Sequence, residues 1–229
     1  MPDPGPAPLV AFEGVTLRAP GGRTVFERLD WQLPRGGRVR VAGGRGSGGT
    51  ALLRLCAGLA QPQEGRVVLD GVPHDPLARS HPFLRRGALG WVPQGGGLVA
   101  NLTLAENVAL PLRFVGGVPR AEAEARAAEA LDGLGLGGDA DLRPHALSPG
   151  ERQLGAMARS ALMEAELWLM DRPLDALDEE GLERARRLLA GLPGPPATTF
   201  LFVGEGPRYR ELAGDVLRLR EAPAAEEST

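Results

Sequence analysis

Apolar positions along the chain recur with two periods, and the switch between them marks its elements. "LVAFEGVTLR" and "VFERLDWQLP" alternate apolar and polar residues, which predicts two strands joined by the turn "APGG". "GRVRVAG" (37–43) predicts a short strand entering a glycine-rich loop, and "TALLRLCAGL" (50–59) places Leu and Ala at helical spacing up to Gly58. "QPQEGRVVLDG" predicts a turn and a strand, and "ALGWVPQ" (88–94) a strand ending on a polar residue. The texture then becomes Ala/Glu/Leu-rich. "LTLAENVALPLRF" and "RAEAEARAAEALDGLGL" predict helices, with Thr103 capping the first and Glu106 three residues on. "ELWLMD" (166–171) predicts a short apolar strand ending in an acid, "EEGLERARRLLAGL" an amphipathic helix, and "ATTFLFVGEG" another buried strand.

Strands alternating with helices predict an α/β fold with a largely parallel sheet and antiparallel strands at the N-terminal end. The helical block, residues 95–160, reads as an insertion between two halves of a core, 9–94 and 161–220. Residues 1–8 are Pro-rich and expected to be disordered, and 221–229 form a polar, flexible tail.

Composition narrows the class. The 229 residues are 43% hydrophobic and 24% charged, as in soluble globular chains. A formal net charge of −3 gives no sign of a nucleic-acid partner. No apolar run approaches the roughly 18 residues that span a bilayer, and the start "MPDPGPAPLV" lacks the pattern of a secretory signal. The single Cys56 sits in an apolar helix pattern and is expected to be a buried thiol, so a reducing, cytoplasmic location is expected. The chain has no lysine and no isoleucine, a bias of the kind a GC-rich genome produces.

The candidate chemistry begins at "VAGGRGSGGTALL". Gly43, Gly44, Gly46, Gly48 and Gly49 crowd into seven residues. Glycine lets the backbone take positive φ and approach a ligand closely, and the helix that follows offers N–H groups to an anion. The phosphate-loop pattern G-x-x-x-x-G-K-[ST] is met at Gly43, Gly48 and Thr50 and fails at the lysine, which is Gly49. A plain strand-to-helix turn fits the same stretch. In "LWLMDRP", Asp171 suits either a magnesium ligand beside Thr50 or a turn cap. In "LSPGERQLGAMARSALM", Ser148 and Glu151 read as a capping box, and the same N-cap can present its N–H groups to a phosphate. A serine hydrolase built on Ser47 is excluded, because Arg45 stands where the nucleophile elbow needs glycine. His74, His81 and His145 lie apart in sequence and suggest no metal site beyond Mg²⁺ carried by a nucleotide.

The order of these elements resembles the nucleotide-binding subunits of ABC transporters, from about residue 9 to 220. "GGRGSGGTALLRLCAGL" is similar to the Walker A loop and its helix, "GWVPQ" to the strand ending in the Q-loop glutamine (Gln94), "LSPGE" to the signature, "LWLMDRP" to Walker B, and "LDALD" to the D-loop, with Asp178 as its acid. "QGGGLVANLTLAENVALPLRF" looks most like the lipid-trafficking and lipoprotein-release branches. The resemblance implies a P-loop NTPase core of the RecA-like kind with an inserted helical subdomain. It also implies ATP and Mg²⁺ as cofactors, and a nucleotide contacted by Gly43, Gly44, Arg45, Gly46, Ser47, Gly48, Gly49, Thr50, Ala51, Gln94 and Asp171. Thr50, Gln94 and Asp171 would serve the metal. Ser148, Gly150 and Glu151 stand at the signature. A permease and a second nucleotide-binding subunit, in a homo- or heterodimer, are the implied partners, at the cytoplasmic face of the membrane.

The departures from the family pattern fall on catalysis. The Walker A lysine is Gly49, the glutamate after the Walker B aspartate is Arg172, the switch histidine gives way to Gly204 or Glu205, and the base-stacking aromatic gives way to Arg18 and Ala19. In the signature, Pro149 replaces a glycine and Glu151 a glutamine. A charge-assisted hydrogen bond contributes about 1.5–3 kcal/mol, so losing the lysine weakens phosphate binding by roughly ten- to a hundredfold. A general base contributes typically 10²–10⁴-fold, and Arg172 cannot act as one. Arg45 is a candidate substitute for the lysine, and Arg172 a candidate to hold a phosphate or to form a salt bridge. The expectation is a hydrolysis-impaired site of its own, with a signature face still able to complete a partner's site. The alternative is a non-hydrolytic scaffold that keeps the fold.

Overall fold

The computed structural model describes residues 7–20, 22–44, 46–74, 81–194, 196–212 and 214–219. The tail 221–229 and most of the N-terminal stretch expected to be disordered lie outside these residues, as does Arg45. Two sheets organise the chain. β1 (Val10–Arg18) pairs antiparallel with both β2 (Thr24–Leu33) and β4 (Glu64–Leu69), and β4 pairs with the two-residue β5 (Val72–Pro73). The second sheet is parallel, in the order β6 (Leu89–Val92), β7 (Leu167–Asp171), β8 (Thr199–Val203), β3 (Arg38–Ala42), β9 (Asp215–Arg218).

The central parallel strands β7 and β8 are buried along their whole length because both faces are covered. Along β7 the alternation sorts residues between two cores. Leu167 and Leu169 join the cluster formed with the antiparallel sheet and helix α1 (Gly49–Cys56). Trp168 and Met170 join the cluster formed with α3 (Leu104–Phe114), α4 (Arg120–Gly133), α5 (Pro149–Ala161) and α6 (Glu179–Ala190). Along β8, Leu201 and Val203 face the first core and Phe200 and Phe202 the second. A short helix α2 (Pro82–Arg85) precedes β6.

Helix ends follow local sequence. Thr103 caps α3 and Ser148 caps α5, each in a full capping box with Glu106 and Glu151. Asn107, fully buried, accepts from Val99 N (2.6 Å) and donates to the carbonyls of Val99, Leu102 and Thr103. These bonds fix the loop leading into α3. The first half of that loop is tied to α5: the Arg159 guanidinium donates to the carbonyls of Gly96 and Gly97, and Gln153 to that of Pro93. Burial pushes the Arg159 pKa below its usual value. Among the described residues, no helix is long and apolar enough to cross a membrane.

Candidate functional site

The site forms where α1 begins, beyond the carboxyl ends of the parallel strands, the usual position for ligands in such sheets. Alternation along β7 carries Asp171 to the same face as Leu167 and Leu169, the face packed on α1. The same rule carries Val203 to the α1 face of β8. Gly48, the N-cap of α1, takes φ 97°, and a Cβ there would lie 2.5 Å from Val25 Cγ1. Only glycine meets both conditions. Gly43 is needed for a different reason: a Cβ would lie 2.5 Å from Ser47 Oγ, so the loop closes with Ser47 buried against it.

A cavity of about 270 Å³ opens over this turn, lined by Gly44, residues 46–51, Ala19, Val25, Val203 and three arginines, Arg23, Arg54 and Arg172. Most of the loop residues singled out from sequence therefore share one wall. Gly43, Gln94 and Asp171 are not on that wall. Gln94 is exposed, two residues beyond the end of β6.

Thr50 Oγ1 donates to Asp171 Oδ2 at 2.7 Å. Asp171 is only 3% exposed, and its other oxygen, Oδ1, is buried with no hydrogen-bond partner among the described residues. A buried carboxylate oxygen without a donor is costly. A hydroxyl beside a carboxylate with a spare oxygen is a donor set that fits a hard cation such as Mg²⁺.

At position 49 the geometry concerns space. Gly49 has no positive φ, so its backbone accepts any residue. A Cβ there, however, would meet Val203 Cγ2 at 2.9 Å and Cγ1 at 3.0 Å. The volume that a side chain at 49 needs first is held by a valine from β8.

Arg172 follows Asp171 with φ 49°, uncommon for a non-glycine residue. Its N–H donates to the Val203 carbonyl at 3.0 Å, which holds the turn against β8. Its guanidinium lies 3.6 Å from Asp175 Oδ2. Tyr209 donates its hydroxyl to Asp175 Oδ1 (2.6 Å) and accepts from Leu174 N (3.1 Å). Burial, reinforced by the Asp175 carboxylate, pushes the Tyr209 phenol far above its usual pKa. The Tyr209 ring also explains Gly204, where a Cβ would lie 2.3 Å from Tyr209 Cε1. Glu205, after it, is exposed. Arg208 donates to the Leu177 carbonyl (2.6 Å) and to Glu179 (2.9 Å). Neighbouring residues 208 and 209 thus strap down the whole turn 174–179.

At the far end of that turn lies a second cavity, about 340 Å³, whose lining includes Ser148, Gly150, Glu151, Asp178 and Glu180. Ser148 Oγ accepts from Glu151 N (3.2 Å), and Glu151 Oε2 accepts from Ser148 N (2.7 Å). Asp178 caps α6 by accepting from Gly181 N at 2.7 Å. The signature and D-loop residues, some 30 positions apart, share this wall.

Sequence reasoning missed two features here. Arg23 and Arg54 reach the first cavity from β1–β2 and α1, and nothing in a linear motif marks them. The rings of His74 and His81, seven positions apart in sequence, meet with centroids 5.4 Å apart and planes tilted by 54°, and His81 caps α2. Among the described residues no cluster of three metal-ligating side chains occurs.

Comparison with known proteins places this geometry. Residues 26–175 match the family described as ABC transporter. The lipoprotein-releasing system ATP-binding protein LolD of Chromohalobacter salexigens is 34% identical over 224 residues, 96% of this chain and 94% of that one. The methionine import ATP-binding protein MetN 1 of Rhodococcus jostii is 34% identical over 223 residues, 96% of this chain and 66% of that one. Among solved structures, the dimeric ABC transporter cassette MJ0796 superposes with a TM-score of 0.84 at 27% identity, covering 93% of this chain and 95% of that one. The same cassette bound to ADP and Pi, in a dimer after hydrolysis, gives 0.82. This chain, a P-loop α/β protein with an arginine-lined cavity at its loop, belongs to the ABC transporter family as one of its ATP-binding cassettes.

Proposed function

We propose that this chain is the cytoplasmic, membrane-peripheral cassette of a transporter, coupling nucleotide state to a permease, with little hydrolysis at its own loop. In this reading the cassette dimerises, and its signature wall completes the competent site of a second cassette. The core is 9–94 with 161–220, and the helical part 95–160 faces the permease. The single observation that carries the reading is the contrast at the two cavities. At the first, residue 49 has no side chain and Val203 holds its space, while Arg172 stands where a base is needed. At the second, Ser148 and Gly150 keep an ordered N-terminus on α5.

The chemistry of the first cavity follows from its residues. Loop N–H groups and the start of α1 bind phosphate oxygens. Thr50 and Asp171 would hold Mg²⁺, which supplies charge neutralisation along the phosphates. Arg172 stabilises negative charge but removes no proton from water. The relatives' names point to lipoprotein release and methionine import at equal identity. Of these, the segment after Gln94 favours the lipoprotein-release branch.

The test is ATP hydrolysis by this chain mixed with a hydrolysis-competent cassette from its own host. Expected is stimulation over either protein alone, lost in Ser148→Asp, which keeps the helix cap but repels a phosphate. No stimulation, with no Mg·ATP bound by the pure chain at millimolar concentration, would favour a scaffold that merely keeps the fold.

A further inference from the structure

We infer that the loop cavity is a phosphate-chain site whose charge comes from Arg23, Arg54 and Arg172, and that it takes polyphosphates without selecting a nucleobase. This rests on the proposed reading that the loop binds a nucleotide at all. Three guanidiniums line one cavity of about 270 Å³, and among the described residues no carboxylate shares its wall. They arrive independently: Arg23 beside β2, Arg54 in the last turn of α1, and Arg172 after β7. Each is differently engaged. Arg23 donates to the Gly46 carbonyl at 3.2 Å, which holds it over the loop. Among the described residues the Arg172 guanidinium has one ion pair, the long contact to Asp175. Arg54 is exposed, and among the described residues no ion pair or hydrogen bond engages its side chain. One fixed lysine is thereby replaced by three planar forks, the geometry that grips phosphate oxygens in pairs.

Among the described residues the same wall holds no aromatic ring and no side-chain amide to read a base. Its apolar members are Ala19, Val25, Ala51 and Val203. Affinity therefore comes from the phosphates, which ATP, GTP and inorganic tripolyphosphate share.

The experiment is calorimetric titration of the full chain with ATP, GTP and tripolyphosphate, each with Mg²⁺. Expected are dissociation constants within about threefold of one another. Arg54→Ala and Arg172→Ala should each weaken all three ligands by a common factor, roughly tenfold, and Arg54→Lys should recover only part of its share, because an ammonium keeps the charge but not the paired donors. Thermal unfolding of each variant in the absence of ligand guards against loss of fold. ATP binding at least thirtyfold tighter than tripolyphosphate would overturn the inference and leave the proposed function standing. Binding of none of the three would overturn both the inference and nucleotide binding at this loop. Equal binding indifferent to Arg54→Ala and Arg172→Ala would overturn the arginine assignment.

Discussion

The two cavities at the ends of the turn 171–179 are lined with opposite charge and held by different forces. The loop cavity carries three arginines and is shaped by glycine and by a valine that reaches across from β8. The signature cavity carries Glu151, Asp178 and Glu180, with Arg184 paired to Glu180, and is shaped by helix caps. Ser148 and Asp178 each satisfy a helix N–H, a bond that contributes about 1 kcal/mol to folding. They have a structural reason to persist whatever the site does. No such reason holds a lysine at 49 or a glutamate at 172, two of the positions at which the sequence departs from the pattern it resembles. Persistence of the signature is thus partly folding chemistry, and a test of its function must keep the cap while changing the group.

The largest expected effect comes from rebuilding the first cavity in the image of an active one. Gly49→Lys with Arg172→Glu should raise ATP turnover only weakly, because Val203 crowds the new Cβ. Adding Val203→Ala should lift it by about 10² or more, read as phosphate release. If the double variant already reaches that rate, the crowding argument is wrong. Next in size, Ser148→Asp should cut the stimulated hydrolysis of a mixed dimer by about 10² while shifting the chain's own stability by less than about 0.5 kcal/mol. Equal loss of stability and activity would make Ser148 a cap only.

Stability changes follow. Gly48→Ala combines positive φ with a contact to Val25 and should cost about 2–4 kcal/mol in denaturant unfolding. Tyr209→Phe leaves Leu174 N and Asp175 without the hydroxyl that joins them and should cost about 1–3 kcal/mol. The smallest signal is Cys56. Burial pushes its thiol far above the usual pKa, so it should resist thiol reagents in the native chain at pH 8 and react fully once unfolded.

How much of this was legible in the sequence depends on range. The alternation of β1 and β2, the apolar run of β7 and both capping boxes are local, and they read directly. β9 did not, because "DVLR" is short and mostly exposed, and becomes a strand only through its parallel pairing with β3. β5 and α2, at two and four residues, carry no periodicity to detect. In the site, the glycine turn and Thr50 follow from spacing and Asp171 from its place at the end of an apolar strand, and the fold brings Thr50 and Asp171 into hydrogen-bond contact. The meeting of Gly49 with Val203 joins residues 154 positions apart, and the strap from Arg208 and Tyr209 to the turn 174–179 joins about thirty. Both depend on strand order, which no linear motif states.

The central claim is that the loop cavity holds a nucleotide without splitting it. Steady-state turnover of the pure wild-type chain at saturating Mg·ATP tests it most directly, with binding measured on the same sample. The account predicts bound nucleotide and turnover below about 0.01 s⁻¹, at least a hundredfold under the low end of typical enzyme rates, about 1 s⁻¹. Turnover near 1 s⁻¹ that survives Arg172→Ala would contradict it.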